Sequence, residues 1–137
     1  MAAEYLHNLQ FEIDKDLRVI AIPKRGVVAG VVGDKDVNRI CFKIDQEYNG
    51  FDLSEFDFYA NFKNAKGEVG RYVVTDKTTE NDLILFSWLV SEEVTAEVGV
   101  VTFAIELIKN DGGVDAQRFN TTLGTLTVLE GLNSQTE

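Results

Sequence analysis

Alternation of apolar and polar residues is the feature of this sequence that most limits what it can fold into. It is clearest at 99–108, which reads GVVTFAIELI, and it recurs at 56–63 and 124–130. A period of two places every second side chain on one face of a β-strand, whereas an amphipathic helix repeats every three to four residues. The segments that show this period are 9–13, 18–22, 38–44, 56–63, 70–75, 82–90, 99–108, 116–122 and 124–130.

Turn-forming residues separate these predicted strands. NAKG at 64–67 predicts a hairpin with Gly67 in the left-handed conformation, and NDGG at 110–113 predicts a second hairpin with a longer loop. A single helical turn at 52–56, capped by Asp52 or Ser54, is the only helix that we predict. The sequence therefore predicts an all-β fold, an antiparallel β-sandwich of immunoglobulin-like or jelly-roll-like type with eight to nine strands.

Length and charge restrict the domain organisation and the partners. With 137 residues, 45% of them hydrophobic, the chain is expected to form one domain over 1–137, with frayed ends at 1–8 and 131–137. A formal net charge of -10 repels nucleic acid and anionic membranes, so we expect neither as a partner. No stretch has the roughly 20 apolar residues of a membrane helix, and the start lacks a signal peptide. We therefore expect synthesis in a cytoplasm without secretion.

Metal and nucleophile chemistry have little basis in the composition. Cys41 is the only cysteine and His7 the only histidine, which excludes an internal disulfide and a histidine-rich metal site. The stretch DKD occurs at 14–16 and at 34–36, and loop aspartates of this kind can be calcium ligands or simply turn formers. We expect no cofactor, with a structural calcium ion as the alternative.

The only tryptophan lies near several carboxylates, which raises the hypothesis of a sugar-processing cleft. Glu92, Glu93 and Glu97 follow the strand that contains Trp88. A glycosidase needs two carboxylates held across a cleft, one of them desolvated, and neighbouring loop positions do not supply this. We interpret the three acids as a solvated corner and expect no catalytic residue. A carbohydrate platform is a separate hypothesis, and its aromatic candidates are Tyr48, Tyr59 and Tyr72.

Two segments are candidates for contacts with other proteins. The strand at 82–90 is apolar on both faces, which is typical of a central strand whose outer face is covered by a second layer, a loop or another subunit. GVVAGVVG at 26–33 is no phosphate loop and reads as a bent edge strand able to pair with another subunit. The predicted interface residues are Val27, Val28, Val31, Val32, Leu83, Leu85 and Leu89. The predicted core anchors are Phe58, Phe86, Trp88 and Phe103.

Several short motifs occur in an order that resembles a known family. They are Gly33-Asp34 before the strand at 38–44, the Trp88 strand, Val94-Thr95 followed by Gly99, and a final pair of strands that contains threonines. Over about 9–132 this order resembles the amino-terminal domain of baseplate upper proteins and related minor structural proteins of tailed phages and prophages of Gram-positive bacteria. The resemblance implies a β-sandwich module that attaches to other virion proteins, works in symmetric multiples and has no enzymatic role.

Members of this family often continue into a helical or fibrous region that carries the receptor-binding apparatus. A chain of this length is therefore expected to be a tail or baseplate attachment or adaptor module. Its expected partners are further copies of itself and other phage tail or capsid proteins, and its expected location is the virion. The alternatives are a carbohydrate-binding module for a host-surface glycan, a capsid accessory or fibre protein, and a hydrolase that uses the acids near Trp88.

Overall fold

A computed structural model describes residues 10–21, 27–111 and 114–131, and nearly all regular structure within these ranges is β-strand. The strands are β1 (Gln10–Asp14), β2 (Val19–Ile20), β3 (Val28–Val31), β4 (Arg39–Asp45), β5 (Glu47–Tyr48), β6 (Phe51–Asp52), β7 (Asp57–Lys63), β8 (Val69–Val73), β9 (Thr78–Glu80), β10 (Leu83–Leu89), β11 (Gly99–Asp111), β12 (Val114–Asn120) and β13 (Gly124–Leu129). The predicted helical turn is a 3-10 helix at Leu53–Glu55, and the Asp52 side chain caps it by accepting the Ser54 N–H.

The strands form two main sheets. The five-stranded sheet has the order β2-β1-β4-β10-β9, and the six-stranded sheet has the order β3-β13-β11-β7-β8 with β12 also paired to β11. The predicted all-β sandwich is confirmed. Its pairing is not wholly antiparallel, because β1 pairs with β4 and β3 pairs with β13 in parallel. Parallel neighbouring strands need long crossover connections, and the chain between the two strands of each of these pairs contributes strands to the opposite sheet.

Aromatic rings from both sheets fill the space between them. Phe42 and Phe86 of the five-stranded sheet stack with centroids 5.1 Å apart, and Phe58 of the opposite sheet meets Phe86 edge-on at 4.8 Å. Trp88 lies 5.3 Å from Phe103 across the same interface. All four predicted core anchors are buried within this cluster. Burial of such large rings is the main source of stability that a sandwich of this size has available.

The predicted hairpins are present, and the unpredicted strands are short. β7 and β8 pair antiparallel through a turn in which Gly67 has a φ of 90°, as predicted. β11 and β12 also pair antiparallel, and the tip of their loop at 112–113 lies outside the described residues. β3 lies within the segment 26–33 that was predicted as an edge strand, whereas β5, β6 and β9 were not predicted and are each two or three residues long. A period of two cannot be recognised over so few positions.

Several expectations fall outside the described residues. These are the predicted frayed ends at 1–8 and 131–137, except that Gly131 is described and is exposed. The described ranges contain no helix of the length and apolarity that a membrane crossing requires.

Candidate assembly surfaces

The strand that contains Trp88, β10, presents different surfaces on its two faces. Trp88 and its same-face neighbours are buried between the sheets, whereas Leu83, Leu85 and Leu89 on the outer face are half-buried. The prediction that this strand is central holds only for its first half. β4 pairs with the whole strand, but β9 pairs only with 83–85, so the second half lies at an edge.

A loop covers the middle of this outer face. Asp76, in the segment between β8 and β9, accepts the Ser87 backbone N–H at 3.0 Å, and its second oxygen accepts the Ser87 hydroxyl. Arg39 donates to the Ser87 hydroxyl at 2.9 Å and lies 3.7 Å from Asp76. The carboxylate therefore takes the place that a neighbouring strand would occupy. Of the three coverings that the sequence allowed, the structure has a loop at this point.

Cys41 lies beside this network as a buried thiol. It is opposite Ser87 in the ladder and only 7% exposed. Burial, assisted by the negative charge of Asp76, raises the pKa of the Cys41 thiol to about 11. The thiol is therefore protonated at neutral pH, as expected of a small structural residue.

The valine-rich segment forms edge strand β3 of the six-stranded sheet. Val28 and Val31 are exposed, whereas Val27 and Val32 are partly buried against the core. Val32 donates its N–H to β13, so the adjacent Val31 N–H points to the free side. There it donates to Asp34 Oδ2 at 3.0 Å, so the predicted pairing edge already has a side chain bound to it.

Gly30 allows this side chain to approach. A Cβ atom at residue 30 would lie 2.6 Å from Asn38 Nδ2 and 2.8 Å from Asp34 Oδ2. Asn38 Nδ2 also donates to the same carboxylate oxygen at 3.0 Å. Gly30 therefore leaves the room that these two side chains occupy, while Gly26 lies outside the described residues.

Two of the motifs that carry the family resemblance meet in space. Thr95 Oγ1 donates to the Asp34 carbonyl at 2.6 Å, and the Gly33 N–H donates to the Thr95 carbonyl at 3.1 Å. Val94 and Thr95 are fully buried. The turn after β3 and the turn after β10 are thus joined into one junction.

The acidic corner has the properties of a solvated turn. Glu92, Glu93 and Glu97 are all exposed, and Glu92 makes a surface ion pair with the exposed Lys35 at 3.4 Å. A glycosidase acid has to be desolvated to hold its proton, and none of these three side chains is desolvated. Their arrangement supports the interpretation as a solvated corner.

The aromatic candidates for a carbohydrate platform are not assembled on one surface. Tyr59 faces outward on β7, whereas Tyr72 faces the opposite side of the same sheet and packs on the core. Tyr48 packs against Phe119 and the Arg18 guanidinium. Trp88 is completely buried, so no sugar can contact its ring.

The aspartates of the two DKD stretches bind backbone amides. Asp14 Oδ1 accepts the N–H groups of Asp16 and Leu17, and Asp34 caps Val31 as described above. Among the described residues, no group of three or more His, Cys, Asp or Glu side chains is placed to hold a metal ion. These contacts are those of turn formers, and the structural calcium stays a prediction.

Sequence reasoning missed a buried carboxylate on the outer face of the six-stranded sheet. The Glu106 side chain is only 9% exposed and receives Arg71 Nη2 at 2.5 Å, Arg118 Nε at 3.3 Å and Asn61 Nδ2 at 2.9 Å. The Arg71 guanidinium also lies over the Tyr59 ring, 4.5 Å from its centroid. Glu106 occupies the polar phase of the β11 alternation, so nothing local distinguishes it from a solvated residue.

Comparisons with known proteins place the fold. No family model and no curated protein matches this sequence. Among solved structures, the chain is similar to the N-terminal domain of phage TP901-1 ORF48, with a TM-score of 0.57 and 18% sequence identity. The match covers 88% of this chain and 96% of that one. At this identity the likeness is one of fold, and it confirms the fold that the family resemblance implied.

Proposed function

We propose that this chain is a non-enzymatic structural module of a tailed-phage virion, which attaches to other tail or baseplate proteins through protein–protein contacts. The observation that carries the proposal is the fold match to a phage baseplate protein domain over nearly the whole chain. The junction of Gly33-Asp34 with Val94-Thr95 adds to it, because the motifs that resemble the phage family are structural elements of this fold.

Five apolar residues on the outer sides of β3 and β10 are the proposed contact residues. Val28 and Val31 lie on the outer side of β3, and Leu83, Leu85 and Leu89 lie half-buried on the outer face of β10. Val27 and Val32 pack against the core, so we assign them no contact with a partner. Exposed apolar groups on a strongly acidic protein fit attachment to a partner, while the net charge keeps the free chain in solution.

The proposal is tested by binding to purified tail and baseplate proteins encoded beside this gene. We expect saturable binding to at least one of them by biolayer interferometry. The double substitution Val28→Lys and Val31→Lys should weaken it by about tenfold or more, because two buried apolar contacts are replaced by charges. Leu123→Lys, at a loop residue 72% exposed, is the matched control and should bind normally.

Two results would contradict the proposal. One is absence of the chain from purified virions by mass spectrometry, together with no binding to any tail or baseplate protein. The other is binding to a host-surface glycan in a glycan array with no virion partner, which would favour the carbohydrate-binding alternative.

A further inference from the structure

The last strand of the six-stranded sheet, β8, has an open edge. It pairs only with β7, and the described part of the chain places no strand on its other side. The Val74 N–H donates to the Phe58 carbonyl and the Asn64 N–H donates to the Glu68 carbonyl, so even-numbered residues of β8 face β7. The backbone N–H and C=O groups of Val69, Arg71 and Val73 therefore point away from the sheet.

The side chains along this edge are apolar and exposed. Val69 is 79% exposed and Val73 is 53% exposed. Proteins normally blunt such an edge with a charge, a bulge or a covering loop, because unpaired backbone groups recruit another strand. In β3 and β10 an aspartate does this, whereas among the described contacts no carboxylate accepts an N–H from β8.

The one charged residue of β8 is turned away from the edge. Arg71 Nε donates to Asn61 on β7 at 2.8 Å, and Nη2 reaches Glu106 on β11 at 2.5 Å. The side chain therefore extends inward across two strands, and Glu106, which also pairs with Arg118, offsets part of its charge. What the edge presents to a partner is backbone and two valines.

The sequence of β8, VGRYV, is symmetric in its outward-facing residues about Arg71. An antiparallel copy centred on Arg71 would place Val69 opposite Val73 of the second copy, and the reverse. It would also align the free N–H and C=O groups of 69, 71 and 73 in both chains as hydrogen-bonded pairs. We propose that two copies of this chain pair through β8 in this register, so that their six-stranded sheets join across a twofold axis.

This inference rests on the proposed assembly function and deepens it by naming the surface for self-association. A second copy is the occupant because the edge is complementary to itself in its free backbone groups and in its outward-facing valines. A twofold interface requires such self-complementarity. A five-residue strand pair is a small interface, so we expect association in the micromolar range rather than an obligate dimer.

A matched pair of lysine substitutions tests which edge associates. Val73 and Val28 are 53% and 52% exposed, on the two opposite edges of one sheet. Sedimentation velocity over a wide concentration range should show a monomer–dimer equilibrium for the unmodified chain and for Val28→Lys. Val73→Lys should raise the dimer dissociation constant by about tenfold or more, since edge lysines oppose strand pairing. Thermal unfolding of each variant reports whether it is folded.

Disulfide trapping tests the register. In a Cys41→Ala background, Val69→Cys mixed with Val73→Cys should form a covalent heterodimer under mild oxidation, because directly paired residues have Cα atoms about 5.5 Å apart. Neither variant alone should cross-link, since each would face a valine.

The two experiments can overturn the inference separately from the proposed function. A strict monomer at the highest concentration, or a dimer that Val73→Lys does not weaken, would refute pairing through β8. Equal cross-linking of either single variant alone would refute the register. In each case binding to tail proteins, measured independently, would leave the virion role intact.

Discussion

The six-stranded sheet ends in two valine-containing strands, β3 and β8, whose edges differ in one respect. On β3 the outward Val31 N–H donates to the Asp34 carboxylate. Asn38 donates to the same carboxylate oxygen, and Gly30 leaves room for both side chains because it has no Cβ. On β8 the outward groups of three residues have no such cap within the described contacts. Exposed valine alone therefore does not identify a pairing edge, because the backbone groups must also be free.

An aspartate also caps an edge strand on the other sheet. Where β9 ends, Asp76 accepts the Ser87 N–H and closes the exposed half of β10. Two edges of the sandwich thus end on an aspartate supplied by a nearby loop. The β8 edge differs from both of these, and the following predictions test the difference between capped and open edges.

The largest expected effect is at Gly30. Gly30→Val would place Cβ against Asn38 and Asp34 at a φ of 153° that side chains rarely adopt. We expect a loss of about 3 kcal/mol or more in the free energy of unfolding, from overpacking and backbone strain. Urea denaturation measures it, with Val28→Ala on the same strand as control. An unchanged midpoint would show that Gly30 is not needed for the cap.

Asp34→Ala should convert the capped edge into an open one. The Val31 N–H and the Asn38 amide lose their acceptor, and we expect a loss of about 1–3 kcal/mol in stability. We also expect concentration-dependent association through β3, measured by light scattering. Asp34→Asn keeps one acceptor oxygen in nearly the same shape and should show a smaller effect on both. A variant that remains as stable as the unmodified chain would argue against the cap.

Glu106→Gln should weaken pairing through the β8 edge, although residue 106 lies on β11 and not on that edge. Glutamine keeps one acceptor oxygen but no negative charge, so the Arg71 charge is no longer offset and can repel Arg71 of the second copy. We expect a loss of about 1–2 kcal/mol in stability, since both arginines are about half exposed and solvent screens them. The dimer dissociation constant should rise in sedimentation experiments. Exposed Glu55→Gln, which pairs with Lys109, is the control.

The smallest effect concerns the capped edge of β10 at high pH. The Cys41 pKa is raised from 9.0 to about 11, so between these values the unfolded chain has lost a proton that the folded chain retains. The stabilisation that the protonated Cys41 thiol contributes to the folded state is therefore present below pH 9 and is lost as the pH rises towards 11. At pH 10 we expect a loss of about 1.4 kcal/mol in the free energy of unfolding relative to neutral pH.

Urea denaturation at pH 7.5 and pH 10 measures this change. Cys41→Ala has no thiol to titrate and should lack this part of the pH dependence. Alkylation by iodoacetamide gives a second readout, because a protonated, buried thiol should react far more slowly at pH 8 than a model thiol. Rapid alkylation of the folded chain at pH 8 would contradict the raised pKa.

Much of the fold could be predicted because strand formation depends on the local alternation of apolar and polar residues. Each of the nine predicted segments overlaps a strand, and Gly67 and Asp52 have the turn and cap positions expected of them. The strands that were missed are short, and their pairing comes from neighbours rather than from their own pattern. The parallel pairings β1–β4 and β3–β13 join segments that are distant in sequence, so no local sequence pattern predicts them.

The candidate surfaces were predicted less completely. Val28 and Val31 are exposed as expected, but Val27 and Val32 pack against the core, and the valine edge is capped. Glu106 looks solvated in the sequence and is buried in the structure, because its partners Arg71 and Arg118 come from other strands. Exposure of a side chain depends on what the rest of the chain brings beside it.

The amino-acid sequence by itself determined the β class, the positions of most strands, the aromatic core and the acidic, histidine-poor surface, since these depend on residue type and on spacing within a few positions. The tertiary structure alone decided which edges of the sheets were closed. That decision depends on long-range neighbours: Asp34 can cap β3 because Gly30 leaves room, Asp76 reaches β10 from another connection, and Arg71 leaves the β8 edge because Glu106 lies two strands away.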